Sequence, residues 1–265
     1  MRLRSVLRDC GTLILEIVFL VLMTFSPWLF HLQMIVKDIS NPEQSLWWVV
    51  STFGKIPLAI SLFIFWLLAI RKYNKDAVLN STDRYHDYPF VLYRLASFFG
   101  YKKCNPIGVP IYLQIQMVMH HLFESYPTLQ AYKEEEHSLV TVEPSSPDLG
   151  QTKINLLVAD SYDIRKEQIP EDCQSMYTIK ITRTKENGVR SYSPDFIEKV
   201  VSTIASLPPH CELHYFATTN PKNQEQITLQ ALVKGGRGNI GELIIYQQEA
   251  TEPRIFYKKA TIIYK

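Results

Sequence analysis

Two long apolar runs near the start of the chain dominate its pattern of hydrophobic and polar positions. GTLILEIVFLVLMTFSPWLF begins at Gly11, WWVVSTFGKIPLAISLFIFWLLAI ends at Ile70, and each run is at least 20 residues long. A helix of that length, rising about 1.5 Å per residue, crosses a hydrocarbon core of about 30 Å. The pattern therefore predicts a two-helix transmembrane hairpin over residues 1–75.

Basic residues flank this hairpin and are scarce in the loop between its helices. They include Arg2 and Arg8 before the first run and Arg71 and Lys75 after the second, whereas the loop has Lys37 alone. The positive-inside rule then places both termini in the cytoplasm and the loop outside. A cleaved signal peptide is the alternative explanation of the basic N-terminus, but a second run of full length follows it.

Two ionisable residues lie inside the runs, Glu16 in the first and Lys55 in the second. A charge at membrane depth costs about 2.5–3.5 kcal/mol on insertion scales, so such residues often mark a function. Counted at about 1.5 Å per residue, their depths differ by about 10 Å, which disfavours a direct pair within one hairpin. We predict that both line a polar path between assembled hairpins. Alternatively, Lys55 extends outward beside Pro57 and the true span begins at Ile56.

Composition excludes a generally basic nucleic-acid binder but little else. The formal net charge is +2 over 265 residues, so the total charge predicts no general attraction to nucleic acid. The cysteines are scattered without CxxC spacing, which in a cytoplasmic domain predicts reduced structural thiols and no metal site. Because HExxH, GxSxG and paired-carboxylate signatures are missing from the sequence, we predict no enzyme, no catalytic residue and no cofactor.

A juxtamembrane segment, residues 76–132, has a helical pattern. Aromatic residues recur at helical spacing up to Gly100, and Pro110 opens a second predicted helix that extends to Tyr126. The first helix either lies in the membrane interface or packs on the soluble core. Residues 133–152 are charged and rich in proline and serine, and we predict a linker there.

Residues 153–265 alternate between strand and helix signals, which predicts a cytosolic α/β domain with a mixed sheet. INLLVAD is typical of a buried strand, and MYTIKITR followed by VRSYS predicts a hairpin across Asn187-Gly188. Ser193 has the chemistry of an N-cap for the next helix. The predicted order of elements is β-β-β-α-β-α-β-β, and the predicted fold class is α/β with an N-terminal transmembrane hairpin.

The corner between a predicted strand and a predicted helix is one candidate phosphate contact. It combines Thr218, Thr219, Asn220 and Lys222 at a helix N-terminus, where free backbone N–H groups and the helix dipole attract anions. Ordinary capping of the helix by Asn220 is the alternative explanation.

A second candidate contact is the glycine-rich segment Gly235–Gly241, which carries Arg237 and follows Lys234. It follows a predicted helix and precedes a strand, the reverse of the order that a dinucleotide fingerprint requires. Its backbone amides and the Arg237 guanidinium are nevertheless suited to a phosphate. A helix C-cap with a turn explains the same residues without a ligand.

The whole architecture resembles the two-transmembrane effectors of bacterial anti-phage systems, from the two apolar runs to the soluble half ending in FYKKATIIYK. It is most similar to the retron type, in which the effector is encoded beside a reverse transcriptase and its noncoding RNA. The resemblance implies a toxin in the bacterial inner membrane, kept inactive by the reverse transcriptase with its noncoding RNA or RNA–DNA hybrid. On infection it would permeabilise the membrane and stop growth, which is abortive infection.

One hairpin is too thin to enclose a pore, so this interpretation requires a homo-oligomer in the active state. A cyclic-oligonucleotide-gated effector of the same architecture is the first alternative, with its ligand at Thr218–Lys222 and the Arg237 loop. A non-toxic membrane-anchored adaptor is the second. Toxicity on expression of the protein alone distinguishes the toxin from the adaptor. A neighbouring reverse transcriptase gene favours the retron type, and a nucleotide cyclase gene favours the cyclic-oligonucleotide type.

Overall fold

Two units make up the protein in the computed structural model. One unit is Met1–Leu79 with Val91–Lys103, and the other is Asn80–Phe90 with Cys104–Lys265. The residues that the structure describes are 11–29, 55–82, 84–128, 132–135, 138–145, 148–184, 191–235, 238–249 and 251–264. The predicted outer loop, the basic N-terminus and Arg237 lie outside them.

The first unit contains the two apolar helices, α1 (Gly11–Leu29) and α2 (Lys55–Asn74). They pack against each other, and the rings of Phe19 and Trp66 meet edge to face with centroids 4.9 Å apart. This is a favourable geometry for two aromatic side chains. The predicted pair of apolar helices at the N-terminus is confirmed.

Only part of this helix pair has the length of a membrane span. Within the described residues, Ile56–Asn74 is the one helix long and apolar enough to cross a bilayer, and Gly11–Pro27 is a shorter apolar helix. Leu15, Phe65 and Leu68 are 70%, 62% and 61% exposed. Outward apolar side chains of this kind suit a lipid environment. Insertion as a transmembrane hairpin stays a prediction.

A third helix, α3 (Phe90–Phe98), places most of its residues in the same unit. It buries Tyr93 and Ala96 and stops, as predicted, at Gly100, where φ is +94°. A Cβ at Gly100 would lie 2.5 Å from Cα of Arg71, so only glycine permits this approach. The structure thus groups most of α3 with the apolar helices.

The second unit is built on a six-stranded sheet with strand order β10-β9-β8-β5-β6-β4. Strands β5, β6, β8 and β9 run parallel, and the edge strands β10 and β4 are antiparallel to their neighbours. The predicted mixed sheet is therefore confirmed. The bounds of all strands are β1 Val78–Leu79, β2 Lys103–Cys104, β3 Lys133–Glu134, β4 Leu139–Glu143, β5 Lys153–Ala159, β6 Tyr177–Thr184, β7 Ser191–Tyr192, β8 Cys211–Ala217, β9 Ile240–Tyr246 and β10 Thr261–Tyr264.

Helices cover both faces of this sheet unequally. The larger core lies under α4, α6, α7 and a π-helix, and the smaller core, around Leu157 and Phe216, lies under α5. Ser193 caps α6 as predicted, because its Oγ accepts a hydrogen bond from Phe196 N at 3.3 Å. The bounds are α4 Ile111–Met119, a 3-10 helix Lys166–Gln168, α5 Glu171–Gln174, α6 Pro194–Ala205, α7 Pro221–Ile227 and the π-helix Thr228–Gly235.

The structure corrects three of the predicted elements. Helix α4 ends at Met119 rather than Tyr126, because the chain turns at His121 with φ of 49°. The predicted hairpin is wrong: β7 pairs in parallel with β3, while β6 lies between β5 and β4. The segment 133–152, predicted as a linker, contains β3 and β4. Flanking charges and prolines concealed the short alternating run LVTVE of β4.

Candidate functional site

A cleft of about 270 Å³ opens in the second unit at the carboxyl ends of β5 and β8. Its lining includes Ser161 and Tyr162, which follow β5, and Thr218 and Thr219, which follow β8. After β5 the chain crosses to β6 on one side, and after β8 it crosses through α7 to β9 on the other side. The strand order therefore reverses between β5 and β8. Doubly wound sheets bind their ligands at such a switch point.

The floor of the cleft is held by hydrogen bonds between these two strand ends. Thr218 is buried, and its Oγ1 donates to the carbonyl oxygen of Tyr162 at 2.7 Å. Ser161 N donates to the carbonyl oxygen of Thr218 at 3.0 Å. Thr219 Oγ1 donates to Gln224 Oε1 at 2.6 Å. Both threonines predicted as phosphate contacts thus line the cleft, but their hydroxyl protons are used within the protein.

Asn220 caps α7 and ties it to the sheet. Its Oδ1 accepts hydrogen bonds from Lys222 N and Asn223 N, both at 3.0 Å. Its Nδ2 donates to Asp160 Oδ2 at 3.0 Å and to the Ser191 carbonyl oxygen at 2.9 Å. The geometry therefore gives Asn220 the capping role that was the alternative to an anion pocket, and a carboxylate of the protein occupies this helix end.

A buried ion pair lies behind this corner. Arg183 Nη2 is 2.5 Å from Asp160 Oδ1, and both side chains are 0% exposed. Arg183 Nη1 also donates to Glu135 Oε2 at 3.1 Å and to Ser191 Oγ at 3.0 Å. This pair is not predictable from the sequence, because an arginine in a strand gives no sign of its partner.

The mouth of the cleft has aromatic, cationic and amide side chains that could contact a ligand. The Arg254 guanidinium lies 3.7 Å from the ring centroid of Tyr162, and Tyr162 is 44% exposed. Tyr85 is a second aromatic side chain in the lining, 58% exposed. Gln248 Nε2 is buried and has no hydrogen-bond partner. A buried donor without a partner is uncommon in native proteins and calls for an explanation.

Of the predicted basic contacts, Lys222 and Lys234 belong to the described residues, and neither lines this cleft. Lys222 Nζ is paired with Glu225 Oε2 at 2.9 Å. Lys234 is exposed in the last turn of the π-helix, whereas Lys222 is in the first turn of α7, at the other end of the same helical segment. Arg254 lines the cleft instead. It was not found from the sequence, because it belongs to a loop between β9 and β10 that carries no motif.

The charged residues of the two apolar helices are also separated. Asn74 Nδ2 donates to Glu16 Oε2 at 2.9 Å, which places Glu16 beside the last residue of α2. Lys55 begins α2, about 28 Å away along the helix at about 1.5 Å per residue. This separation exceeds the predicted depth difference of about 10 Å, because Glu16 lies beside the last residue of α2 and Lys55 is its first residue. Asn74, not Lys55, is the observed partner of Glu16.

A second polar cluster lies in the smaller core. His214 Nε2 is 2.8 Å from Glu212 Oε1, and His214 Nδ1 is 2.9 Å from the Tyr246 hydroxyl. Burial would raise the pKa of Glu212, but hydrogen bonds from Lys153 and His214 outweigh it and the pKa is lowered. Burial raises the pKa of Cys173, which lies 3.8 Å from His214. A thiol with a raised pKa is a poor nucleophile, so Cys173 is not activated for nucleophilic attack in this cluster.

Comparisons with known proteins identify a family. A model of the SMODS- and Ubiquitin system-associated 2TM effector domain matches residues 3–263. No curated protein matches the chain. A solved structure of the Acinetobacter baumannii Cap4 SAVED/CARF-domain containing receptor, with the cyclic trinucleotide 3'3'3'-cAAA, is similar at a TM-score of 0.42 and 9% identity. The match covers 67% of this chain and 46% of the receptor, less than half of the receptor's length.

Proposed function

Because the chain belongs to the SMODS- and Ubiquitin system-associated 2TM effector domain family, we propose that its α/β unit is a ligand sensor and its apolar helices are a toxic membrane effector. The family makes it a two-transmembrane effector of anti-phage defence. The finer steps are our proposal: the sensor binds its ligand in the switch-point cleft, and binding releases the helices to act on the membrane.

The proposed ligand is a nucleotide, and a cyclic oligonucleotide in particular. The unpartnered Nε2 of Gln248 carries this proposal, because an amide donor pairs well with an acceptor on a base edge. The exposed ring of Tyr162 offers a stacking surface for a base. The Arg254 guanidinium lies over that ring, and its Nε is 2.8 Å from Glu252 Oε1. We propose that its two Nη groups bind a phosphate. The ring and the donor suit a base and the cation suits a phosphate, so the cleft matches two of the three parts of a nucleotide.

Regulation by a reverse transcriptase with its noncoding RNA or RNA–DNA hybrid is less well supported by these residues. A backbone-binding surface needs several free cations on one face. Lys222 is paired with Glu225, and Lys234 is at the other end of the same helical segment. A small ligand in the cleft therefore fits the geometry better, and the retron-type partner becomes an outcome of the test.

The membrane step follows from the first unit. We propose that α1 and α2 span the bacterial inner membrane with both termini in the cytoplasm. Their exposed apolar side chains, among them Leu15 and Phe65, then face lipid. Several hairpins assemble on activation and permeabilise the membrane, with Glu16 and Lys55 marking two levels of a polar path. A non-toxic adaptor would leave the membrane potential unchanged on expression.

Ligand titration of the full chain in detergent micelles tests the sensor. The probes are ATP, linear triadenylate and cyclic di- and triadenylate, measured by isothermal titration calorimetry. Arg254→Ala should weaken binding of the preferred probe by about 1.5–3 kcal/mol, the usual range for a hydrogen bond to a charged group, or about 10- to 150-fold. The matched control is Arg165→Ala, an exposed arginine outside the cleft lining, which should bind as the parent does.

Gln248→Leu tests the cleft in a second way, by separating ligand binding from thermal stability. It should weaken ligand binding without lowering thermal stability, because the removed donor has no partner in the protein. A loss of both would assign Gln248 a structural role. Binding of an RNA–DNA hybrid that depends steeply on salt and is unaffected by Arg254→Ala would refute the cleft and favour the retron-type partner.

A further inference from the structure

The two edges of the six-stranded sheet are unequally protected. At one edge, the register of β10 on β9 shifts between Ile262 and Tyr264, and such an irregularity discourages pairing with another chain. At the other edge, β4 pairs with β6 in unbroken register from Leu139 to Glu143. It contains no proline and no lysine, and Leu139 is 69% exposed. Among the described residues no strand pairs with the outer side of β4, so this edge is open to a strand of another chain.

The sequence of β4 can pair with itself in an antiparallel arrangement without like charges opposite each other. With Thr141 at the centre, Leu139 of one copy lies opposite Glu143 of the other, Val140 lies opposite Val142, and Thr141 lies opposite Thr141. Cross-strand pairs of β-branched residues are favourable, and no two like charges face each other. A shift of register by one residue would abolish these matches.

The faces of the two sheets also agree in this arrangement. Val140 and Val142 pack at the margin of the larger core, and directly opposite residues of an antiparallel pair point to the same face. The apolar margins of both cores would then join on one side of the combined sheet. Thr141 would lie on the other side with its neighbour Thr182.

We propose that the protein is a homodimer through β4, with the two sheets joined into one across a two-fold axis at Thr141. This inference deepens the proposed assembly of hairpins and rests on it. A two-fold pair is closed, because each copy uses its β4 edge once. Each copy carries its own hairpin, so the pair brings two hairpins together.

Cysteine cross-linking of the full chain in micelles tests the register. Opposed residues of an antiparallel pair have Cα atoms about 4.5–5.5 Å apart, within the range of about 4.4–6.8 Å that a disulfide spans. Thr141→Cys should therefore give a disulfide-linked dimer on mild oxidation. Thr261→Cys at the opposite edge is the matched control and should remain monomeric on a denaturing gel, as should the parent chain.

Two lysine substitutions test the same register without a covalent bond. Thr141→Lys places two ammonium groups opposite each other and should abolish the dimer in sedimentation velocity or mass photometry. Leu139→Lys places each lysine opposite Glu143 of the other copy and should retain the dimer. Equal effects of both changes, or Thr141→Cys cross-linking no better than Thr261→Cys, would overturn the proposal.

These experiments can refute the proposed dimer and the proposed ligand cleft independently of each other. Thr141→Lys should still bind the preferred nucleotide probe, which also shows that it is folded. A monomeric parent that binds the probe would refute the dimer and leave the cleft standing. A dimer in which Arg254→Ala has no effect on binding would refute the cleft alone. If the edge served a partner's peptide strand instead, the purified chain would be monomeric, which counts against the proposal.

Discussion

Replacing Arg183 by methionine should be among the most destabilising single changes in the α/β unit. The substitution keeps much of the side-chain length but removes the counter-charge of Asp160 at a site where both side chains are 0% exposed. The hydrogen bonds from Asn220 and Asn223 to Asp160 Oδ2 remain. Removing one partner of a buried ion pair costs about 3–5 kcal/mol, because the other charge stays buried without compensation. Every 1.4 kcal/mol is a factor of about ten, so local opening should become about a hundredfold to a few thousandfold more frequent.

The assay must report on the sheet and not on the membrane helices. All four tryptophans, Trp28, Trp47, Trp48 and Trp66, belong to the N-terminal part of the sequence, so tryptophan fluorescence would report on the wrong unit. Amide hydrogen exchange of peptides from β5 and β6, with the full chain in micelles, measures the opening free energy where the pair lies. The double variant with Asp160→Asn should lose less than the sum of the single losses, because no unpaired charge remains.

Lys180→Met is the matched control. Lys180 is on the same strand β6 and pairs with Asp163 at 2.7 Å, but the two side chains are 28% and 55% exposed. Exposed ion pairs contribute about 0–1 kcal/mol, so this change should leave exchange in β5 and β6 nearly unchanged. Equal acceleration by Arg183→Met and Lys180→Met would refute the argument from burial.

Two further predictions concern pH and toxicity. Glu212→Gln should lower thermal stability at neutral pH, and the variant and the parent should be equally stable in acid. The folded-state pKa of Glu212 is below its ordinary value of 4.5, so the carboxylate stabilises the protein above that value, and the stabilisation is lost as the pH falls through the folded-state pKa. Thermal melts followed by far-UV circular dichroism at several pH values measure this difference. Lys55→Leu should insert more easily, by about 2.5–3.5 kcal/mol, yet depolarise cells less when expressed, as a voltage-sensitive dye reports.

Each of these has a control and an outcome that contradicts it. Glu198→Gln on the exposed face of α6 should show the parent's dependence on pH, and a Glu212→Gln variant that keeps that dependence would remove Glu212 as its source. For toxicity, full depolarisation by both Lys55→Leu and Glu16→Leu at equal membrane protein level would exclude a polar path.

Local signals predicted the elements well where one stretch of sequence decides the structure. INLLVAD became the buried strand β5, and Ser193 became the cap of α6, because an apolar run and a capping hydroxyl act on their own neighbours. The strand β4 was missed because its five residues are stable only beside β6. The Asn187-Gly188 turn signal was misleading, since β7 found its partner in β3.

The cleft was half predictable for the same reason. Thr218 and Thr219 were found because a strand-to-helix corner is visible in the sequence and does border the cleft. Arg254 and Gln248 were not found, because they follow β9 in the chain and lie at the cleft only because β9 pairs in parallel with β8. Contacts that depend on the order of strands in a sheet cannot be inferred from spacing along the chain.

Asn74 has a mechanical consequence for the helix pair that it joins. Its side-chain amide has two hydrogens, and both are in use: Nδ2 donates to Glu16 Oε2 and to the carbonyl oxygen of Phe99 at 3.0 Å. Asn74 is 0% exposed, so water cannot replace either bond in place, and losing one costs about 1–3 kcal/mol. A displacement of the turn after α3 must therefore either move α1 as well or break one of the two hydrogen bonds of Asn74 Nδ2. Asn74 therefore couples the turn after α3 to α1, and a small displacement of that turn should move α1 with it.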